Sequence, residues 1–275
     1  MKRRKKLTFG RLMLYAVLIG GSVLMGFPLV YSVLGSFCSY RDFYTSFVIP
    51  FPRHLYLENY TLLFSPQVNL VLWVGNTLVR IVWYILVPGT IAVLAGYAFA
   101  RLKAPGREGV FLYLLSSMMI PGIVFSIPTY IMMARWPGVG GNNWLGQGGH
   151  GFVNSWPALL IPGLVNVYYI VLLRQTYYSI PLDFEEAARV DGAGTLRVLW
   201  HVYLPMLKPT LTVLVIFQFV AIWNDYQWPL IVSSGNPNIT TLALGVQRTL
   251  LAGAGIKRLP PGTTDWPVAL GVAPV

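Results

Sequence analysis

The chain has 275 residues, of which 55% are apolar and only 11% carry a charged side chain. A soluble domain normally has about a quarter charged residues, so this composition excludes an ordinary soluble protein and favours one that uses lipid as its solvent. The net charge of +11 comes from basic residues that flank long uncharged stretches and do not line one soluble face, which argues against a nucleic-acid-binding protein.

These uncharged stretches predict that the chain crosses a membrane several times. No ionised side chain occurs in 12–40, 110–134 or 136–173, and a helix of about 20 apolar residues crosses the hydrocarbon core. We expect five spans near 12–34, 72–100, 110–134, 157–177 and 210–232, and a sixth that begins near Trp266 and is incomplete at Val275. The predicted fold is an all-α, polytopic membrane helix bundle of about six transmembrane helices, in a single transmembrane domain over residues 1–275.

The distribution of basic residues predicts which side of the membrane each loop occupies. Thirteen basic residues lie in the N-terminal segment 2–11 and in the loops 101–107 and 174–208, which share one side if the chain crosses as predicted. Only six lie in the opposite loops. Because cytoplasmic loops carry an excess of Lys and Arg, we expect the N-terminus and the first group of loops to be cytoplasmic.

Two segments are expected to depart from regular helix. Pro121 and Pro128 lie in the third predicted span. Each removes a backbone hydrogen bond, so we expect breaks that face protein or a cavity. Residues 137–151 hold seven glycines, which predicts an irregular outer loop.

The cytoplasmic loop 181–209, between the fourth and fifth predicted spans, carries the most informative pattern. Pro181 and Asp183 can start a helix there, with acidic residues near its positive end. Gly192 and Gly194 then let the backbone turn before the chain returns to the membrane. A short exposed helix bounded by turns suits docking into the groove of a partner protein.

The spacing within this loop resembles a signature of ABC-type importer permeases, in which E-A-A, G, I and L-P recur at fixed intervals. Glu186-Ala187-Ala188, Gly192, Val202 and Leu204-Pro205 match that signature, with Val202 in place of the usual Ile. The neighbouring Asp191-Gly192-Ala193 is similar to the carbohydrate-uptake branch, the maltose-type permeases. Further segments agree in order: Glu58-Asn59-Tyr60, Asn76-Thr77, Tyr97–Arg101, Met119–Pro121, Pro128 and Trp223–Asp225.

The resemblance implies the fold of an ABC type I importer permease and a transport role without catalysis in this chain. The cargo would be a sugar or oligosaccharide, moved across the cytoplasmic membrane of a prokaryote. The loop helix would dock on a nucleotide-binding subunit. The candidate coupling residues are Glu185, Glu186, Ala187, Ala188, Asp191, Gly192, Ala193, Gly194, Leu204 and Pro205.

The same resemblance implies a set of partners. These are a second permease subunit, expected to form a heterodimer with this chain, two ATPase subunits, an extracytoplasmic solute-binding protein and the lipid bilayer. The chain has no G-x-x-x-x-G-K-[ST] phosphate loop, so ATP and Mg are expected in the partner ATPase and no cofactor or metal in this chain.

Aromatic and amide side chains within the spans are candidates for a substrate path, because sugar rings offer apolar patches edged by hydroxyls. The candidates are Tyr130, Asn166, Tyr169, Gln218, Trp223, Asn224 and Asp225. Ordinary helix packing is the alternative for each of them. Arg80 and Asp225 are charged, but lie toward the outer ends of their spans, where snorkelling to the headgroups would explain them.

Other functions stay open beside the sugar importer. The same architecture could carry glycerol-phosphate esters or another polyol derivative. A stand-alone secondary transporter or channel is a rival of a different class, since it would need no ATPase. A membrane enzyme is the weakest alternative, because His54, His150 and His201 are far apart and suggest no catalytic or metal site.

Overall fold

A computed structural model of the chain describes residues 9–39, 42–43, 49–64, 68–233 and 235–255, which contain helices, turns and loops and no β-strand. The predicted all-α class is confirmed. The chain divides into two compact units, Met1–Leu70 with Val246–Val275, and Val71–Gly245. The predicted sixth span near Trp266 lies outside the described residues.

The first unit is built around α1, Phe9–Ser36, whose 28 residues are longer than the roughly 20 that a span needs. After it comes α2, Glu58–Leu63. The two are joined by Asn59, whose side-chain amide donates to the carbonyls of Ser36 and Cys38, at 3.0 Å each. The thiol of Cys38 is fully buried, and it donates to the Leu34 carbonyl at 3.4 Å.

The second unit begins with the long helix α3, Leu70–Arg101. Like α1, this helix is long and apolar enough to cross a membrane. Both helices agree with the first two predicted spans, because a segment that crosses lipid must satisfy its backbone hydrogen bonds within itself, as a helix does.

The third predicted span is bent, and one of the two breaks expected from its prolines is present. It consists of α4, Arg107–Ser117, a 3₁₀ turn at Gly122–Phe125 and α5, Ser126–Ala134. The two helical parts meet at 95°. The break lies at Pro121, which has extended backbone and disfavours helix in the residue before it. Pro128 makes no break, because it lies in the first turn of α5, where a missing N–H does little harm.

The fourth and fifth predicted spans are also divided, each into two helices. The fourth has α6, Trp156–Leu160, and α7, Val167–Ser179. The fifth has α11, Lys208–Trp223, and α12, Gln227–Val232. Between α6 and α7 the chain turns at Gly163, whose φ of +82° suits glycine.

The remaining helices lie in the loops. Between α7 and α11 come α8, Asp183–Val190, α9, Thr195–Val198, a π turn at Leu199–Tyr203 and α10, Leu204–Met206. After α12 come a 3₁₀ turn at Pro237–Ile239 and α13, Leu242–Gly255. α13 lies between the fifth predicted span and the predicted sixth, where no helix was predicted.

The largest apolar cluster of the second unit surrounds the crossing of α3 and α7. The helices approach so closely that a Cβ atom on Gly96 would lie 2.8 Å from the Cβ of Leu173. Tyr177, Tyr203 and Leu207 are fully buried in the same cluster. A second cluster joins α5, α6 and α12. The close crossing and the first cluster position the loop helix α8.

Candidate functional site

The loop helix α8, Asp183–Val190, begins where the sequence pattern predicted. Asp183, Glu185 and Glu186 lie in its first turn, where the positive end of the helix dipole stabilises negative charge. The helix is followed by a turn that re-enters helix at Thr195. The predicted short helix bounded by turns is therefore present.

The loop helix is exposed over most of its circumference, and this surface carries apolar side chains beside the carboxylates of Asp183 and Glu186. Val190 is 87% exposed, and Leu182, just before the helix, and Phe184 are about half exposed. Glu186 and Ala187 are exposed beside them. Contiguous apolar side chains with a carboxylate among them are typical of a protein-binding surface, because leaving them in water costs free energy. We call Leu182, Phe184, Glu186, Ala187 and Val190 the exposed face.

The turn after the loop helix is held by glycine at one position only. Gly192 has φ +79°, and its neighbour Ala193 donates its N–H to the Ala188 carbonyl at 2.9 Å. This is a Schellman C-cap, which needs a left-handed residue. Gly194 has φ −73° and extended backbone, so it does not use the freedom of glycine. Asp191 is exposed at the same turn.

The chain bends where it leaves the predicted cytoplasmic loop and enters α11. The helical stretch Thr195–Met206 meets α11 at 76°. Leu204 is partly buried and Pro205 is exposed just before this bend, and Leu207 at the bend is fully buried. Of the candidate coupling residues, Leu204 and Pro205 therefore lie at the corner and not on the exposed face.

Glu185 points inward, away from the exposed face that carries Glu186. Its side chain is buried, with one carboxylate oxygen accepting from the Tyr203 hydroxyl at 2.6 Å and the other from Arg189 at 2.7 and 2.9 Å. Burial raises the pKa of this carboxyl, but these hydrogen bonds and the nearby arginine charges outweigh it and leave the pKa below its usual value. Glu185 is therefore an ionised group inside the protein.

Two candidate path residues meet at a cavity. Tyr169 of α7 and Gln218 of α11 are both buried and line a cavity of about 250 Å³ together with Tyr84 and Thr90 of α3. The rest of its lining is mainly apolar. Hydroxyl and amide groups set in an apolar wall suit a neutral polyhydroxylated molecule.

Four other candidates do not join this cavity. Asn166 caps α7, where its side-chain oxygen accepts the Tyr169 N–H at 3.3 Å. Tyr130 packs against the second apolar cluster. Trp223 stacks on Phe219, with ring centroids 5.5 Å apart. Asn224 is exposed and donates to the carbonyl one turn earlier in its own helix.

Asp225, the last candidate, forms an ion pair with Arg80 of α3, with a distance of 2.7 Å between Nη2 and Oδ2. Its other oxygen accepts the Trp228 N–H at the start of α12, at 3.2 Å. Arg80 is only 1% exposed, so burial in an ion pair, and not snorkelling to the headgroups, accounts for its charge. A buried guanidinium has a lower free energy beside a carboxylate than alone in apolar surroundings.

Several residues that organise the site were not candidate site residues: Tyr84 was not named from the sequence, and Tyr97 and Arg101 were named only as the ends of a segment that resembles the family. Tyr84 donates to the carbonyls of Leu159 and Pro162, and so holds the segment between α6 and α7. Tyr97 and Arg101 lie four residues apart, on one face of α3, and reach the loop helix region. This i, i+4 pair of polar groups in an apolar helix was the available signal.

The chain matches one protein family and several known transport proteins. The family model for "Binding-protein-dependent transport system inner membrane component" matches residues 89–273. The arabinooligosaccharides transport system permease protein AraQ of Halalkalibacterium halodurans is 27% identical over 230 residues, covering 82% of this chain and 76% of AraQ. The lactose transport system permease protein LacG of Rhizobium radiobacter is 27% identical over 228 residues, covering 82% and 77%.

A third relative and one solved structure complete the comparison. The sn-glycerol-3-phosphate transport system permease protein UgpE of Yersinia enterocolitica is 28% identical over 166 residues, covering 60% of this chain and 53% of UgpE. A chain from the crystal structure of a bacterial ABC transporter involved in the import of the acidic polysaccharide alginate superposes with a TM-score of 0.78. It is 21% identical, and the match covers 98% of this chain and 91% of that chain. This likeness shows a shared fold.

Proposed function

Because the chain belongs to the family of binding-protein-dependent transport system inner membrane components, we propose that it is the permease subunit of an ATP-driven importer for a sugar or oligosaccharide. It works in the cytoplasmic membrane, with its N-terminus and loop helix in the cytoplasm. The excess of basic residues in 2–11, 101–107 and 174–208 supports this orientation.

The exposed face of the loop helix is the observation that carries the proposal. An apolar, acid-edged helix outside the spans is suited to a groove on a separate ATPase subunit. Complete burial of an exposed Val or Phe side chain contributes about 1.5–3 kcal/mol, so docking of Val190 and Phe184 would supply useful affinity. ATP and Mg are bound and used in that partner subunit, and this chain converts its movement into a rearrangement of spans.

A second permease subunit and an extracytoplasmic solute-binding protein complete the proposed transporter. The second permease supplies the other half of the route, as a heterodimer with this chain. The binding protein delivers the cargo from outside, in keeping with the description of the family.

The cavity favours a neutral sugar over a phosphate ester. AraQ and LacG are named for sugars, and UgpE for sn-glycerol 3-phosphate. A bound phosphate would call for Arg or Lys, whereas the described residues that line this cavity have hydroxyl, phenol and amide groups and no positive charge. Glycerol-phosphate import is the second candidate, and stands on the UgpE relatives.

Uptake by the whole transporter tests the proposal. Liposomes with both permeases, the ATPase and the binding protein are given labelled lactose, an arabinooligosaccharide or sn-glycerol 3-phosphate, with and without internal ATP. We expect ATP-dependent uptake of a sugar, and none in liposomes that hold this chain alone. Uptake by the single chain without ATP would overturn the proposal in favour of a stand-alone transporter or channel.

A pair of variants tests the docking surface. Val190→Glu places a charge on the exposed face and is expected to abolish co-purification of the ATPase. Leu145→Glu makes the same kind of change at a position that is 78% exposed in the glycine-rich loop, and is expected to leave co-purification intact. Equal retention of the ATPase by both variants would contradict docking through the loop helix.

A further inference from the structure

The two neighbouring glutamates of the loop helix have opposite surroundings. Glu186 is exposed, whereas Glu185 is buried. Successive residues of an α-helix point about 100° apart, so one carboxylate can face a partner while the other faces the bundle. The proposed docking surface explains Glu186 and leaves the buried charge of Glu185 without a role.

Glu185 joins three separate parts of the chain. It accepts a hydrogen bond from Tyr203 in the π turn at 2.6 Å and two from Arg189, one turn later in the loop helix. The hydroxyl of Tyr97, on α3, lies at 3.5 Å. All three neighbours are donors, so an ionised carboxylate, which only accepts, is the group that satisfies them together.

The neighbours of Glu185 are fixed to the spans in turn. The rings of Tyr97, Tyr177 and Tyr203 pack against one another, with centroids 5.3–5.6 Å apart. The guanidinium of Arg101 lies 5.3 Å from the centre of the Tyr203 ring, and donates to the carbonyls of Tyr177 and Ile180 at the end of α7. A continuous set of contacts thus runs from the loop helix to α3 and α7.

We propose that Glu185 is a positioning residue, which holds the loop helix at a fixed angle to α3 and α7 so that a push on the exposed face moves the spans. The inference rests on the proposed function, since it concerns how the docked ATPase acts. It assigns two roles to adjacent carboxylates: Glu186 lies on the surface that meets the ATPase, and Glu185 transmits the movement of that surface.

The hydrogen-bond donors around Glu185 determine what its replacement would change. Replacement of Glu185 by Gln keeps the size of the side chain but introduces an NH₂ group that faces other donors. The charge that attracts Arg189 disappears as well. The loop helix then keeps its exposed face and loses its rigid hold on the π turn, so the ATPase still binds while its movement reaches the spans poorly.

The test uses the whole transporter in liposomes and two measurements, the amount of ATPase that co-purifies and the stimulation of ATP hydrolysis by the solute-binding protein with lactose. Glu185→Gln is expected to retain the ATPase and to lose stimulation about tenfold, within the usual range of coupling between sites. Tyr203→Phe removes one hydrogen bond and keeps the ring, so it is expected to lose less. If Glu185→Gln does not fold, the stimulation measured with Tyr203→Phe tests the proposal instead.

Tyr177→Phe is the matched control, because its hydroxyl donates to the Val93 carbonyl and does not reach Glu185. It is expected to keep stimulation, and loss equal to that of Glu185→Gln would overturn the inference by showing general loosening of the cluster. Normal stimulation in Glu185→Gln, or loss of the ATPase from it, would overturn it too. If the unaltered chain retained no ATPase, the proposed function itself would have failed.

Discussion

The ion pair between Arg80 and Asp225 allows a prediction about stability in which the magnitude follows from the structure. At a separation of 2.7 Å and an effective dielectric constant of about 20, the attraction is about 6 kcal/mol before desolvation is counted. Arg80 is 1% exposed, so removal of its partner leaves an uncompensated buried charge, which costs about 3–5 kcal/mol. We expect Asp225→Asn to lower the free energy of unfolding by about 3 kcal/mol, since Asp225 itself keeps some contact with solvent.

Two further variants separate the charge from its other role. Asp225→Ala also removes the acceptor for the Trp228 N–H, so it is expected to cost about 1 kcal/mol more than Asp225→Asn, the usual value of a helix cap. The double variant Arg80→Met with Asp225→Leu replaces the pair by apolar groups, which is often neutral. We expect it to recover most of the loss.

Equilibrium unfolding in mixed detergent micelles measures these free energies, with intrinsic tryptophan fluorescence as the signal. An Asp225→Asn protein within about 0.5 kcal/mol of the unaltered one would refute the reasoning, because it would place Arg80 in contact with water or another counter-ion. So would a double variant as unstable as Asp225→Ala.

Three further substitutions test local geometry. Gly192→Ala is expected to cost about 1–2 kcal/mol because of its positive φ, while Gly194→Ala should be neutral, and equal unfolding midpoints would contradict this. Gly96→Leu should reduce the yield of monodisperse protein in size-exclusion chromatography, since overpacking costs about 1–3 kcal/mol or more; an unchanged yield would argue against the close helix crossing. Asn76→Ala removes two hydrogen bonds of 2.9 Å to the carbonyls at 238 and 240. It should speed the exchange of the backbone amide hydrogens in that segment and leave those of the loop helix unchanged.

The first two spans were predicted more accurately than the later three. Residues 12–34 and 72–100 each lie within one continuous helix, although each helix has a proline inside it, Pro28 and Pro88. The three later spans are each divided into separate helices, and hydropathy averaged along the chain does not show where a helix ends. Pro121 and Pro128 show why composition was insufficient: the same residue breaks a helix at one position and fits the first turn at another.

The loop helix was located correctly by its motif, but the sequence could not say which glutamate faces inward. That depends on Tyr97, which is 88 residues away from Glu185, and on Tyr203. The partner of Asp225 is 145 residues away. Such pairs are set by how α3 packs against later helices, and a single sequence has no record of that packing.

Two of the predicted path residues, Tyr169 and Gln218, line the cavity. Tyr169 and Gln218 come together because α7 and α11 both pack near α3, and their role in a substrate path stays a prediction. Asn166 has an equally suitable side chain, but it lies just before the first residue of α7 and is used as a cap. Whether an amide lines a route or caps a helix depends on where the helix begins.

The buried Cys38 makes the chain convenient for site-directed labelling. It is the single cysteine of the sequence, and its thiol is fully enclosed. Burial and the negative charge of Asp42 raise the pKa of this thiol, so little of it is the reactive thiolate at neutral pH. A cysteine introduced at Ala187, on the exposed face, would react with a spin label or cross-linker while the native cysteine stays in place, so the approach of the ATPase could be followed in the otherwise unaltered protein.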